Sequence, residues 1–448
     1  MADFYATTGA RGLRYVFPMV LTLAPWWLLV LSVPVLLVGE WMFRHVSLFG
    51  RYNIPVPVIG GLAVSLLVLV LRVSGLMEIS FATKVSAAWW TWLVTPEIEW
   101  VSRPERGVNL PFLLGFFTCI GLNATWRVVR QGSWQLPLFL AIATLLAVAQ
   151  NALGVTLAKL LGESPLLGLI CGSLSLTGGH GTALGFAATL EQAGFGAAAT
   201  VGAAAATFGL VFGSLIGGPV ATRLIRRHKL KSSGCGESTG ASAATECVEE
   251  PGFFATLRGL AGFGAKAGWH LLLLAAVIKA GAWLSWALQH AGVVFPPYMG
   301  AMIVGVVLRN ALDLSGRTWI DSRVVDQIGA VLLGVFLAMA MMALNLVELA
   351  GSAAPMLVIL FAQVAFLTVF TTWVTYRLMG RDYDAAVMAG GQCGFGLGAT
   401  PNAVANMDSL VRRYGPAPRA FVIVPTVGAM LIDLTNALNI TWFLNLLK

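Results

Sequence analysis

The sequence predicts an all-α polytopic membrane protein made of two inverted repeats, each with five transmembrane helices and a re-entrant hairpin loop. Three observations lead there. The chain is 58% hydrophobic and only 11% charged, whereas a water-facing domain needs about a quarter charged residues. Ten apolar stretches reach spanning length, about 20 residues each. Two further stretches, rich in Gly, Ser, Thr and Asn, are too apolar for loops and too short to cross twice.

The same composition excludes an intrinsically disordered chain. Continuous rather than alternating apolar runs favour helices over a barrel. Tryptophan (15) outnumbers tyrosine (7), and several tryptophans lie beside span ends, as in interfacial belts. The net charge of +8 points to no nucleic acid, because the basic residues mark span ends. Cys119, Cys171, Cys235, Cys247 and Cys393 show no paired framework and no zinc spacing, so neither a disulfide nor a cofactor is expected. Val16–Phe43 is too long for a cleavable signal and is expected to be retained.

In order, the spans are expected at 18–43, 56–74, 110–126, 134–158, 196–224, 266–290, 297–311, 325–348, 354–377 and 418–445. A tryptophan-rich element, 76–105, reads as interfacial, with Trp89, Trp90, Trp92 and Trp100 among Glu78, Glu97, Glu99 and Glu105. The segments 164–191 and 384–411 read as re-entrant loops, which a bilayer tolerates where protein or water satisfies the broken backbone. Arg223, Arg226, Arg227, Lys229 and Lys231 close the fifth span and set its cytoplasmic end, which places both termini outside. Residues 232–251, small, polar and low in complexity, read as a flexible linker. The expected organisation is a tail at 1–17, a first repeat at 18–225, a cytoplasmic linker at 226–263 and a second repeat at 264–448.

The halves match in order. Pro57-Val-Ile-Gly60 faces Pro297-Tyr-Met-Gly300, Gly115-Phe-Phe faces Gly334-Val-Phe, and Pro137 faces Pro355. Gly178-Gly179 faces Gly390-Gly391, and Thr207-Phe-Gly209 faces Thr426-Val-Gly428. The spacings agree once the tryptophan-rich element is counted as an insertion. Five spans per half invert the second half, which is the architecture of secondary transporters.

Glycine clusters let backbone approach a ligand closely. At a broken helix the freed N–H groups hold a carboxylate, and freed carbonyls and hydroxyls ligate sodium. Packing through small residues is the competing explanation for any single Gly-x-x-x-Gly. Asp433 lies inside the last span with Asn436 and Asn439 at three-residue steps, a natural sodium or proton site. A structural ion pair with Lys279, the basic residue deep in a span, is the alternative. His180 either bonds substrate or steadies the hinge, and Cys393 has no activating histidine nearby in sequence.

The chain resembles the bacterial sodium/glutamate symporters. The resemblance is carried by Gly172-Ser-Leu-Ser-Leu-Thr-Gly-Gly-His-Gly-Thr182, Ala206-Thr-Phe-Gly-Leu-Val-Phe-Gly and Leu215-Ile-Gly-Gly-Pro219. The second half adds Asp382-Tyr-Asp-Ala-Ala-Val, Cys393-Gly-Phe-Gly-Leu-Gly-Ala-Thr-Pro401, Ala405-Asn-Met407, Ile432-Asp433 and Asn436-Ala-Leu. It implies a homodimer in the bacterial inner membrane that takes up glutamate on a sodium gradient by an elevator-like movement. Carried onto this sequence, the substrate residues are Ser175, Thr177, Gly178, Gly179, His180, Gly181, Thr182, Gly394, Gly396, Gly398, Thr400 and Asn406, with Ser173 and Pro401 also matching. Sodium is expected at Asp433, Asn436, Ala399 and Asn402. Gln392 stands where a His is usual, Ala183 where a Gly is usual and Thr200 where an acid is expected, which opens the alternative of another dicarboxylate or organic anion. An intramembrane hydrolase lacks a Ser–His or paired-Asp arrangement, and paired hairpins argue against a passive channel.

Overall fold

A computed structural model describes residues 19–51, 54–97, 105–125, 134–232, 253–291, 296–317, 319–347 and 349–447. The tail at 1–17 and linker residues 233–252 lie outside these. The principal helices are α1 (Trp26–His45), α2 (Val56–Val73), α3 (Leu110–Asn123), α4 (Gln135–Leu160), α5 (Pro165–Leu169), α6 (Gly179–Gln192), α7 (Ala198–His228) and α8 (Phe253–Gly262). The second half contributes α9 (Ala265–His290), α10 (Pro297–Leu314), α11 (Ser322–Met342), α12 (Leu349–Phe370), α13 (Tyr383–Leu397), α14 (Thr400–Tyr414), α15 (Pro418–Thr426) and α16 (Ile432–Leu446). Proline in the first turn starts α2, α3, α5, α10, α14 and α15, where its missing N–H costs nothing.

Among the described residues, α1, α2, α4, α7, α9, α11 and α12 with its extension to Leu378 are long and apolar enough to cross a bilayer. The pair α15–α16, bent by 44°, makes an eighth. The ten expected spans become seven or eight on these criteria. At the other two places stand α3, with 14 residues, and α10, which carries Arg309 and Asp313.

The fold is all-α in class with two short strand pairs added, and two other expectations need correction. β1 (Met19–Leu23) pairs in parallel with β2 (Met77–Phe81), from Met19↔Met77 to Leu23↔Phe81. The hairpin of α1 and α2 returns the chain to the same end, so β2 can run parallel. A second pair, β3 (Lys84–Val85) and β4 (Arg106–Gly107), is antiparallel, and Trp26 stacks on Trp89 at 5.4 Å. The region 226–263 is not all linker. It begins with the end of α7 and finishes with α8, which packs on α11 through Phe253 against Gly334. Finally, Gly390-Gly391 lies inside α13, whereas Gly178-Gly179 begins α6, so these pairs are not equivalent. Cys171-Gly172 includes the first break, and Cys393-Gly394 lies in the last turns of α13, ahead of the break at Gly398.

Close glycine contacts recur in the two halves. A Cβ on Gly39 would collide with Gly60 and the Val56 carbonyl, joining α1 to α2, and one on Gly281 with Gly300 and Ala301, joining α9 to α10. Gly61 and Ser65 of α2 lie on Met341 of α11, where Ser65 donates to the Met341 carbonyl. In the other half Gly305 of α10 lies on Gly121 and Leu122 of α3. The helices α4 and α7 are half buried along their apolar windows, against 28% for α1 and α2, so the interrupted segments α5–α6 and α13–α14 are held by the inner helices.

Candidate functional site

Two helix breaks meet at the centre. In the first, α5 continues through a wide π-type turn, Ile170–Leu174, and Gly172 leaves helical geometry (φ −93°, ψ −145°) before α6 begins. Gly179 there adopts φ +62°, a conformation that side chains rarely take. In the second, Gly398 ends α13 and Ala399 is extended (φ −152°, ψ 164°) before α14. The breaks are close: a Cβ on Gly179 would lie 3.4 Å from the Gly398 carbonyl oxygen.

Buried amides tie them together. Gln150 accepts from the Thr177 hydroxyl (2.7 Å) and donates to the Gly396 carbonyl (2.8 Å), so one side chain of α4 holds both breaks. Gln363 of α12 donates to the Gln150 carbonyl. Next to it, Asn151 Oδ1 accepts from both the N–H and the hydroxyl of Ser173 (2.8 and 2.9 Å). Asn436 donates to the Ser173 carbonyl (3.1 Å), and Asn439 reaches the Ser173 hydroxyl at 3.5 Å. Three asparagines thus converge on one serine. Asn436 Oδ1, Asn439 Oδ1, Asn151 Nδ2 and Ser175 Oγ nonetheless have no hydrogen-bond partner. Each unsatisfied buried group costs about 1–3 kcal/mol, so this concentration of unpaired atoms fits a ligand rather than a fold requirement. Asp433, one turn earlier on α16, is partly buried and makes no ion pair or hydrogen bond among the described residues.

The second break is joined to α7 by backbone packing. A Cβ on Gly209 would collide with the Leu397 carbonyl, and one on Gly213 would sit 3.0 Å from the Gly394 carbonyl. Asn402 donates to the Leu210 carbonyl and Asn406 to the Gly213 carbonyl, both at 2.9 Å. Asn402 Oδ1 is unpaired.

Capping separates the outer from the inner ends of both hairpins. The outer N-termini are capped: Ser164 accepts from Leu166 N in α5, and Asp382 from Ala385 N in α13. The inner N-termini of α6 and α14 follow Gly178 and Ala399, which provide no side-chain cap. The first-turn N–H groups of Gly179, His180 and Gly181 precede the first intrahelical bond of α6, whereas in α14 only Thr400 keeps such an N–H, because Pro401 has none and Asn402 and Ala403 donate to the Ala399 carbonyl. A helix N-terminus is an anion site.

The structure therefore brings together Ser175, Thr177, Gly178, Gly179, Gly396, Gly398 and Ala399 at the breaks, with Asn402 and Thr400 on the following turn. Thr400 lies 3.2 Å from where a Cβ on Gly428 would stand. It does not bring all the expected residues there. Gly181 faces Phe116 and Leu333, Gly394 abuts Ala403, and Thr182 lies against Gly178. His180 bonds Thr207 of α7 at 2.9 Å; because Thr207 donates to the Ala203 carbonyl, the proton is on Nε2. Asn406 serves the α7 contact. The sodium set divides, with Asn436 at the first break and Asn402 at the second. Charge alone does not reveal Gln150, Asn151 and Gln363, whose signal is amides inside apolar spans, whereas Asn439 stands out by its three-residue step from Asn436.

Lys279 has other partners than Asp433. It binds the Trp92 and Thr95 carbonyls at 2.7 Å and Glu97 at 2.9 Å, with its ammonium 4.3 Å from the Trp92 ring. This ammonium holds the Glu97 carboxyl below its ordinary range. Lys279 thus anchors the tryptophan-rich element to α9.

The chain matches the profile of the sodium/glutamate symporters over residues 21–95 and 92–416. The chain belongs to the sodium/glutamate symporter family. A sodium/glutamate symporter of Escherichia coli (strain K12) is 39% identical over 419 residues, 93% of this chain and 96% of that protein. One from Haemophilus influenzae (strain ATCC 51907 / DSM 11121 / KW20 / Rd) is 37% identical over 413 residues, 91% of this chain and 94% of its own. No solved structure matches the chain. Membership and the apolar helices make it a multi-pass membrane transporter. The departures at Gln392, Ala183 and Thr200 all go into packing. Gln392 accepts from Thr375, Ala183 lies 3.2 Å from where a Cβ on Gly202 would be, and Thr200 donates to the Asn345 carbonyl.

Proposed function

We propose that the protein takes up glutamate across the bacterial inner membrane, coupled to sodium entry. The observation that carries this reading is the pair of uncapped helix N-termini, α6 and α14, that open onto one centre while the outer ends of the same hairpins are capped. Two positive helix ends suit a substrate with two carboxylates. Thr177, Thr400 and the glycine backbone supply neutral hydrogen bonds, which suits a membrane site with few charges.

Sodium is held at the first break, by Asp433 with the unpaired oxygens of Asn436, Asn439 and Ser175, and Asn402 with the Ala399 backbone offers oxygens at the second. An unpaired carboxylate inside a span is costly, about 2.5–3.5 kcal/mol on insertion scales, and a bound cation offsets that cost. Coupling then follows from reciprocity: sodium that favours glutamate is favoured by it to the same extent.

In this reading the halves are inverted repeats with re-entrant loops at α5–α6 and α13–α14, supported by the recurrence of the Gly39–Gly60 contact as Gly281–Gly300 and of α2 on α11 as α10 on α3. Both termini are extracytoplasmic, the chain works as a homodimer, and the hairpin-bearing part moves as an elevator against the rest. The test is labelled glutamate uptake into proteoliposomes with and without an inward sodium gradient. Uptake that is indifferent to sodium, or equally inhibited by malate and citrate, overturns it.

A further inference from the structure

Arg223, Arg226 and Arg227 lie within two turns at the end of α7 and, with Pro219 and Thr222, line an open recess of about 680 Å³. All three are exposed. Other arginines have carboxylates: Arg44 pairs with Glu40, Arg72 with Glu78, Arg309 with Asp313, Arg412 with Asp408 and Arg419 with Asp382. The α7 arginines pair with no carboxylate among the described residues. A basic helix end alone reports only orientation, but this one continues into an apolar furrow. Leu215 is 41% exposed, Pro219 is exposed, and an added Cβ on Gly218 would meet nothing within 4 Å. At 3.6 residues per turn, Leu215, Gly218, Pro219, Thr222 and Arg226 share one face of α7.

We propose that this recess binds the headgroup of an anionic phospholipid of the cytoplasmic leaflet, with an acyl chain along the Leu215–Pro219 furrow. Guanidinium forks match phosphate oxygens in paired geometry, and that leaflet presents anionic headgroups beside basic helix ends. A free phosphate would use the arginines but not the furrow. The same helix packs on the α13–α14 hairpin, so the lipid grips the part that carries the second break. The inference rests on the membrane-spanning reading and not on the identity of the cargo.

The test is native mass spectrometry of the full-length protein in detergent, with phosphatidylglycerol or phosphatidylethanolamine added. Expected are one retained phosphatidylglycerol per chain and at least about tenfold preference over phosphatidylethanolamine. The triple variant Arg223→Gln, Arg226→Gln, Arg227→Gln should lose on the order of 100-fold in affinity. Because neutral variants can misinsert, the matching triple Lys variant keeps the charge and should still weaken binding through lost fork geometry. Equal retention of both lipids, Gln and Lys variants that bind like the parent, or displacement of the lipid by millimolar inorganic phosphate each overturns the proposal. Sodium-dependent uptake in the Lys variant, read in parallel, separates failure of this site from failure of the transport reading.

Discussion

Each half of the chain holds one helix break, and the two are held in different ways. The first is surrounded by side-chain amides, with Asn151, Asn436 and Asn439 gathered on Ser173 and four polar atoms left unpaired. The second is held mainly by close backbone packing, with Gly209, Gly213 and Gly217 of α7 against the carbonyls of α13, and by Asn402 and Asn406 donating to α7 carbonyls. The difference follows from the helix that packs on each. Along α16 run Asp433, Asn436 and Asn439, whereas α7 presents small residues. On the proposed reading, the first break has the directed oxygens that an ion needs, and the second has the close contact that fixes it to α7. Gln150 bonds to both breaks, and Thr177 of the first also reaches the Gly396 carbonyl of the second at 3.4 Å, so the two breaks are tied directly.

The sharpest way to break this comparison is to remove the charge from the first break. Asp433→Asn should weaken sodium-dependent glutamate binding about 100-fold, the equivalent of about 3 kcal/mol for an unpartnered buried charge site. The glutamate that still binds should be insensitive to sodium from zero to saturating concentration. Retained sodium dependence would move the ion to the second break, leaving Asn402 and Ala399 as its ligands.

Gly209→Ala should act on stability instead. Its Cβ would meet the Leu397 carbonyl, and overpacking of this kind costs about 1–3 kcal/mol. Gly218→Ala on the open face of the same helix should be neutral or stabilising by about 0.5–1 kcal/mol. Denaturation in detergent, followed for both variants, checks the contrast. If the two variants behave alike, α7 does not clamp the second break.

The sequence shows this contrast only partly, for definable reasons. Long apolar runs, the glycine-rich segments and Asp433 stand out because bilayer thickness and the cost of charge act on composition directly. Gly-Gly is a poor marker of a helix break in a chain with 50 glycines, since Gly178-Gly179 begins α6 while Gly390-Gly391 lies inside α13. Gln150 and Asn151 do not stand out in the sequence, since an amide inside a span looks the same whether it bonds a neighbouring helix or faces a site. The pairing of β1 with β2 depends on two helices bringing distant segments side by side, and Met-Val-Leu-Thr-Leu at the start of a long apolar run carries no strand signal of its own. Lys279 looked like a partner for Asp433 because both are charges in spans; only packing shows that Glu97 and two carbonyls claim it.

The capping contrast can be reversed by design. Ala399 already has the extended backbone of an N-cap, so Ala399→Ser would place a hydroxyl where it can accept from the first turn of α14. Its oxygen can reach the Asn402 N–H, which now donates to the Ala399 carbonyl, so the gain should be about 0.5 kcal/mol, the low end for a cap. Glutamate should weaken about tenfold because the hydroxyl fills the helix end that the substrate uses. Thermal denaturation and equilibrium binding, measured together, are informative because the two effects have opposite signs. Greater stability with unchanged affinity would show that the substrate carboxylates lie elsewhere.

The smallest effect belongs at the outer end of the first hairpin. Ser164 accepts from Leu166 N at 3.3 Å, a long bond, so Ser164→Ala should cost about 0.5 kcal/mol, the low end for a lost cap. Because this end faces away from the breaks in the chain order of the hairpin, glutamate affinity and sodium dependence should not change. The two cap variants therefore make a matched pair. Adding a cap inside should raise stability and lower affinity, while removing one outside should lower stability and leave affinity alone. Loss of glutamate binding in Ser164→Ala would mean that the α5 arm takes part in holding the substrate, and the division into structural outer ends and binding inner ends would have to be abandoned for the first hairpin.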